Sequence, residues 1–178
     1  MKRLNVGCGM DIRKDWINLD LHKLQGVDVV HNIEKIPWPF KNDYFDEIEC
    51  FHVLEHVEYI PIMEEAYRIL KKNGIIRIAV PHFTSQYSFI DPTHRKLFSI
   101  RTFDFFIKDS AFKRNYYFKF AYANIVSRKI TFEKQLLYFY NYIVSPIINI
   151  HPKMMLWYEA TFLRNIFPAE SIIVVLKK

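Results

Sequence analysis

Glycine is scarce in this chain: four occur in 178 residues, and two of them, Gly7 and Gly9, stand two apart near the start. No low-complexity linker or internal repeat is present, so one domain over residues 1–178 is expected. There are two cysteines, Cys8 and Cys50, far apart and without a partner motif. That excludes a disulfide framework and a cysteine-rich zinc site, and points to a reducing compartment such as the cytoplasm. No run of roughly 18 uncharged apolar residues occurs, so no membrane span is expected. No charged-then-apolar leader opens the chain, so no signal peptide is expected either. Disorder is excluded by what is plentiful: 51% hydrophobic and 17% aromatic residues.

Charge is unevenly shared. Residues 1–90 balance at −2 and residues 91–178 at +8, for a net +6. A basic second half is either a solvated surface or a face for a negatively charged substrate, nucleic acid or lipid.

Short apolar runs at Arg3–Gly7, Asp15–Leu21, Val27–Ile33, Tyr44–His52 and Ile75–Pro81 read as strands. The prolines of "IPWPF" (Ile36–Phe40) exclude regular structure there. Glu55–Gly74 reads as a helix, with Lys71 and Lys72 in its last turn, Gly74 closing it and Pro61 either shifting its start or kinking it. Ile100–Lys108 reads as a helix, Ala123–Lys134 and Ser171–Lys178 as strands. Between those two strands lie an uncharged aromatic stretch, Gln135–Ile150, and a helical pattern, Lys153–Phe167. The fold class expected is α/β: a Rossmann-like, mostly parallel sheet flanked by helices, with a helical, aromatic insertion before the last strand.

Taken in order, "LNVGCG" (Leu4–Gly9), "INLD" (Ile17–Asp20), "DVVHNI" (Asp28–Ile33), "FDEIECFHVLEHV" (Phe45–Val57), "LKKNGIIRIAVP" (Leu70–Pro81) and "FPAESIIVVLKK" (Phe167–Lys178) resemble the class I S-adenosylmethionine (SAM)-dependent methyltransferases. The resemblance covers most of the chain and implies a cofactor half (1–81) and a substrate-facing half (82–178). It implies SAM contacts from Asn5, Gly7, Cys8, Gly9, Asp20, Leu21, Asn32, Ile33, Phe51 and His52. In that reading the glycines let backbone approach the cofactor, and Asp20 accepts hydrogen bonds from both ribose hydroxyls. Asn32 and Ile33 hold the adenine, and Phe51 and His52 line the floor beside the methyl group. Three positions depart from the family pattern: Asn5 where an acid is often found, Asp11 where a third glycine is common, and Asn32 where aspartate is common. With ten residues between Gly9 and Asp20, the first connecting helix is expected to be very short. A dinucleotide fingerprint is excluded by the missing third glycine and the short distance to the acid.

Methyl transfer needs positioning, and a base where the acceptor loses a proton. His82 and His94 are the candidate bases. Arg95 and Lys96 are candidates to hold an anionic group, and Phe83, Tyr87 and Phe89 to form an apolar wall. "HVLEH" (His52–His56) matches a zinc-protease pattern that needs both histidines on one helix. His52 is expected at a strand end instead, so no metal site is expected. The function expected is methyl transfer to oxygen or nitrogen of a small or carrier-linked, anionic acceptor, such as a sugar or cell-envelope precursor. The alternative is a non-catalytic module of the same fold contacting nucleic acid or membrane. Nucleic acid is the less favoured partner. A homodimer and peripheral membrane contact through the aromatic stretch stay open, beside its use as a pocket lid.

Overall fold

A computed structural model describes residues 1–178, except for the side chain of Asn115. Seven strands form one sheet: β1 (Arg3–Val6), β2 (Ile17–Asp20), β3 (Val29–Val30), β4 (Phe45–Phe51), β5 (Leu70–Pro81), β6 (Asn124–Ile130) and β7 (Ser171–Lys177). Their spatial order is β3-β2-β1-β4-β5-β7-β6. The first five run parallel, and β7 lies antiparallel between β5 and β6. The expected fold class is the one observed.

The central strands are buried on both faces, which is why they read as apolar runs. Leu4, Val6, Leu19, Ile48, Ile76, Ile78, Ile172 and Val174 all lie in the core. Helix α1 (Tyr59–Ile69) buries Ile62, Met63, Ala66 and Ile69, one stripe at helical spacing. Pro61 sits at its third residue, where a missing N–H costs nothing. The helix is shorter than the sequence pattern suggests. The chain turns extended at Leu70, so Lys71, Lys72 and Gly74 belong to β5 and no glycine cap is used. A Cβ on Gly74 would approach the Lys71 and Asp46 carbonyls at 2.9 and 3.0 Å; close backbone approach is what this glycine serves. The third strand shrinks to two residues, and the pattern at Ile100–Lys108 yields a 3-10 turn at Thr102–Phe106 rather than an α-helix.

Among the described residues no helix connects β1 to β2; the link is made of turns. Two buried amides replace the helical hydrogen bonds. Asn5 Nδ2 donates to the Asp11 carbonyl at 2.7 Å, and Asn18 bridges the Arg13 N–H and carbonyl at 2.9 and 3.0 Å. Strands this short need little chain for the return, so ten residues suffice.

The segment after β3 is pinned from α1. Glu65 is buried, accepts the Trp38 N–H at 2.6 Å and pairs with Arg68 at 2.6 Å. Arg68 in turn donates to the Phe40 carbonyl at 2.9 Å, while Trp38 Nε1 donates to the Ile33 carbonyl at 2.8 Å. The hydrogen bond to Glu65 raises the Arg68 guanidinium further above its usual range.

Beyond β5 come α2 (Tyr87–Ile90) and, between β6 and β7, α3 (Asn141–Ile148), α4 (Pro152–Ala160) and α5 (Leu163–Ile166). Much of the aromatic and aliphatic side-chain surface of that insertion faces outward, including Leu136, Leu137, Phe139, Ile143, Trp157 and Phe162.

Glu65→Leu should leave the Trp38 amide and the Arg68 cation without their acceptor. The expected loss is about 2–3 kcal/mol in urea unfolding, at the low end for a broken buried pair because Arg68 reaches solvent. An unchanged midpoint would show that the proline segment is not held by this pair.

Candidate active site

All five parallel strands end on the same edge of the sheet, and the loops leaving β1, β2, β3 and β4 enclose a cleft of about 260 Å³. Its walls include Gly7, Asp20, Leu21, Asn32, Ile33 and His52, all expected from the sequence, and His31, Glu34, Val53, His56 and Val57, which were not. Asp20 is held in place by backbone: Gly9 N–H donates to Oδ2 at 2.8 Å and His22 N–H to Oδ1 at 2.9 Å. Each carboxylate oxygen keeps a lone pair for a ligand hydroxyl. Asn32 Oδ1 accepts the Glu34 N–H at 2.9 Å, so its NH2 group is the part left to recognise a ligand.

Four expected contact residues sit elsewhere. Asn5 is buried beneath the cleft and serves the β1–β2 connection. Cys8 is 4% exposed and donates its N–H to the Leu19 carbonyl at 3.0 Å. Burial, then the nearby Asp20 carboxylate, push its thiol up, so it stays protonated. Gly9 contributes its amide to Asp20 rather than lining the cleft. Phe51 is half-buried with the Arg13 guanidinium 5.5 Å from its ring centre. Gly7 does line the cleft, but its side-chain-free position has a second cause. At φ +65°, a Cβ would come within 2.4 Å of Val53 Cγ2.

Next to this cleft lies a second, of about 330 Å³, bounded by His52, Glu55, His56, Pro81, Tyr87, Asp91, His94, Glu170 and Ser171. His52 and His56 belong to both walls. His52 follows β4 directly with φ +55°, and a short 3-10 turn, Leu54–His56, carries Glu55 and His56. The two histidines of "HVLEH" are therefore not on one α-helix, and the zinc-protease arrangement does not form. Tyr87 and Glu170 lead on into a third cleft of about 210 Å³, where Phe89, Tyr138 and Tyr140 lie.

The substrate-side expectations divide in the same way. His94, Tyr87 and Phe89 line the second or third cleft. Arg95 is exposed and lines neither; what it contributes is its backbone N–H, donated to the Glu55 carbonyl at 2.8 Å. Lys96 is neutralised by Glu58 at 2.8 Å. Phe83 stacks on His82 at 4.4 Å with Arg164 over its ring at 5.4 Å, outside all three clefts.

His82 cannot be a general base. Its side chain is fully buried, its Nδ1 accepts the Thr84 N–H at 3.1 Å, and its Nε2 donates to Glu159 Oε1 at 3.0 Å. Glu159 of α4 also accepts from Ser99 Oγ at 2.6 Å and the Ile100 N–H at 2.7 Å. Burial pushes this carboxyl up, but the hydrogen bonds from His82, Ser99 and Ile100 outweigh it and leave it below the ordinary carboxylate range. The partner lies 77 residues away in sequence, so no local pattern announces it.

Residues 2–78 match a family described as a methyltransferase domain. That stretch contains every residue that lines the first cleft. An uncharacterized protein of Methanocaldococcus jannaschii is 36% identical over 90 residues, covering 43% of this chain and 39% of that one. This chain thus matches about two-fifths of that curated relative's length. A SAM-dependent methyltransferase of Archaeoglobus fulgidus shares the fold across 99% of this chain and 86% of its own, at 21% identity and TM-score 0.63. Coclaurine N-methyltransferase, solved with N-methylheliamine and S-adenosylhomocysteine, aligns over 99% of this chain and 65% of its own, at 14% identity and TM-score 0.56. The residues of the first cleft fit the superfamily's cofactor. Asp20 offers two oxygens to a diol, and the NH2 of Asn32 and the face of Ile33 suit a purine.

Two outcomes are expected from this geometry. Gly7→Ala should destabilise the fold as well as the cleft, because its Cβ meets Val53 at a positive φ; a variant as stable as wild type in thermal melts would refute the close contact. Glu159 has a lowered pKa in the folded state, so its stabilisation is complete above the ordinary value of 4.5 and fades as pH falls through the folded value. The stability difference between wild type and Glu159→Gln should therefore shrink on acidification in urea titrations, and a constant difference would contradict it.

Proposed function

We propose that the protein transfers the methyl group of SAM to an oxygen or nitrogen of a small or carrier-linked acceptor held in the second cleft. The observation that carries this reading is the shared wall. SAM resting on Asp20 and Asn32 fills the first cleft, and His52 and His56 border both it and a second cleft open to a different molecule. Methyl transfer is an in-line displacement at a carbon already activated by sulfonium, so bringing the methyl carbon and the acceptor atom together where the two clefts meet is most of what catalysis requires. His94 lines the second cleft, which supports its contact with the acceptor, whereas the buried His82 acts only through the loop it anchors.

The acceptor side supports a carrier-linked molecule. The second cleft runs into the aromatic third cleft, and beyond it lie the outward-facing Leu136, Leu137 and Phe139 with Lys134 nearby. A polar group on an apolar carrier, such as a sugar or other cell-envelope precursor, matches that sequence of surfaces, with the protein touching the membrane only at its periphery. No helix among the described residues is long and apolar enough to cross a membrane. The two buried, unpaired thiols suit a reducing compartment such as the cytoplasm.

Calorimetric titration with SAM and S-adenosylhomocysteine tests the cofactor half of this reading, with NAD and ATP as controls. Asp20→Asn should weaken both SAM ligands by about 1.5–3 kcal/mol, roughly 10- to 150-fold in Kd, with folding checked by circular dichroism. Wild-type protein that ignores SAM would end the proposal.

A further inference from the structure

The turn after β4 buries a carboxylate that its surroundings do not satisfy. Glu55 is 1% exposed, and its Oε2 has no hydrogen-bond partner among the described residues. Its Oε1 lies 3.5 Å from His52 Nδ1 and 3.9 Å from His94 Nε2, too far for good hydrogen bonds. His94 has the same problem from the other side: its side chain is 9% exposed and its Nδ1 is buried without a partner. A carboxylate left in such a place without a compensating cation is strongly disfavoured.

His56 completes the group. Its ring meets that of His94 edge-on at 4.6 Å. Thr93 Oγ1 donates its proton to Asp91 Oδ1 at 2.6 Å, so toward His56 it can only accept, and His56 Nδ1–H donates to it at 2.8 Å. That chain fixes the tautomer with the lone pair on Nε2. An imidazole with one nitrogen locked as a donor to an oxygen is how proteins prepare a metal ligand. The Arg95 N–H bond to the Glu55 carbonyl holds the second loop against the first. One ligand atom each from Glu55, His56 and His94 lies within 4.8 Å of the others.

We propose that Glu55, His56 and His94 form a binding site for a divalent transition-metal ion, with its remaining coordination positions facing the second cleft. Two imidazoles and one carboxylate suit zinc, cobalt or manganese rather than magnesium or calcium, which prefer oxygen alone. This reverses the expectation from "HVLEH", and for a definite reason: the third ligand comes from residue 94, on a loop that the sequence pattern does not connect to the turn. Resting on the methyl-transfer reading, the ion gives the acceptor its place. A hydroxyl bound to it releases its proton to water, its oxygen pair forms the bond to the methyl carbon, and the carbon–sulfur pair returns to sulfur as S-adenosylhomocysteine leaves.

The test uses the whole chain, stripped with a chelator and dialysed. Titration with Co2+ should give a single equivalent with visible d–d absorption, which Zn2+ displaces and Mg2+ does not. His94→Ala and Glu55→Gln should each weaken Co2+ by about tenfold or more. His94→Ala, on the outer loop, carries the test if the buried Glu55 variant fails to fold. SAM titrations on the same samples separate the two proposals. Metal uptake without SAM binding would leave this site standing and remove the methyl-transfer reading. SAM binding without stoichiometric Co2+, or a His94→Ala protein that binds Co2+ like wild type, would overturn the metal site.

Discussion

Parallel pairing is the constraint from which the rest follows. Strands that run the same way deliver all their carboxyl ends to one edge, where backbone carbonyls and amides have no ladder left to join. The chain must turn there five times, and each turn presents a residue that the sheet has fixed to within its own register. Gly7, Asp20, His52 and Pro81 are such residues, and all four border the two adjoining clefts. Because β1 has β2 on one side and β4 on the other, its successor loops part in opposite directions and leave a crevice between them.

What the sequence revealed of this arrangement was what depends on neighbours in sequence. Apolar runs such as Ile75–Pro81 declare a buried strand wherever they stand, and Asp20 at the end of "INLD" could be placed at a strand end by counting. Contacts that close over long loops left no such trace. Glu159 on His82, Glu65 on Trp38 and His94 beside Glu55 join segments dozens of residues apart. Their residue types alone suit a base, a surface charge and a loop histidine equally well. The absent first helix is a subtler case: the amides of Asn5 and Asn18 do locally what helical hydrogen bonds would have done, and amide side chains carry no periodicity to read.

The same distinction separates the two halves of the site. At the first cleft Asp20 and Asn32 are held by backbone N–H groups and stand at or just after strand ends, so counting along the strands is enough to place them. At the second and third clefts the walls come from loops and from the insertion before β7, and residue type alone does not say which side chains reach them. Lys96 and Phe83, which looked available, are occupied by Glu58 and by His82.

The Glu159 junction joins the loop after β5 to the insertion as a single piece. One buried anion on α4 holds His82 at the end of β5 and Ser99 and Ile100 at the far end of the loop. The loop over the second cleft is thereby tied at both ends to the aromatic insertion. The insertion is not an interchangeable module. Grafting a different segment between β6 and β7 would have to bring its own acceptor for the His82, Ser99 and Ile100 donors, or else the loop would come loose along with the surface it was meant to replace.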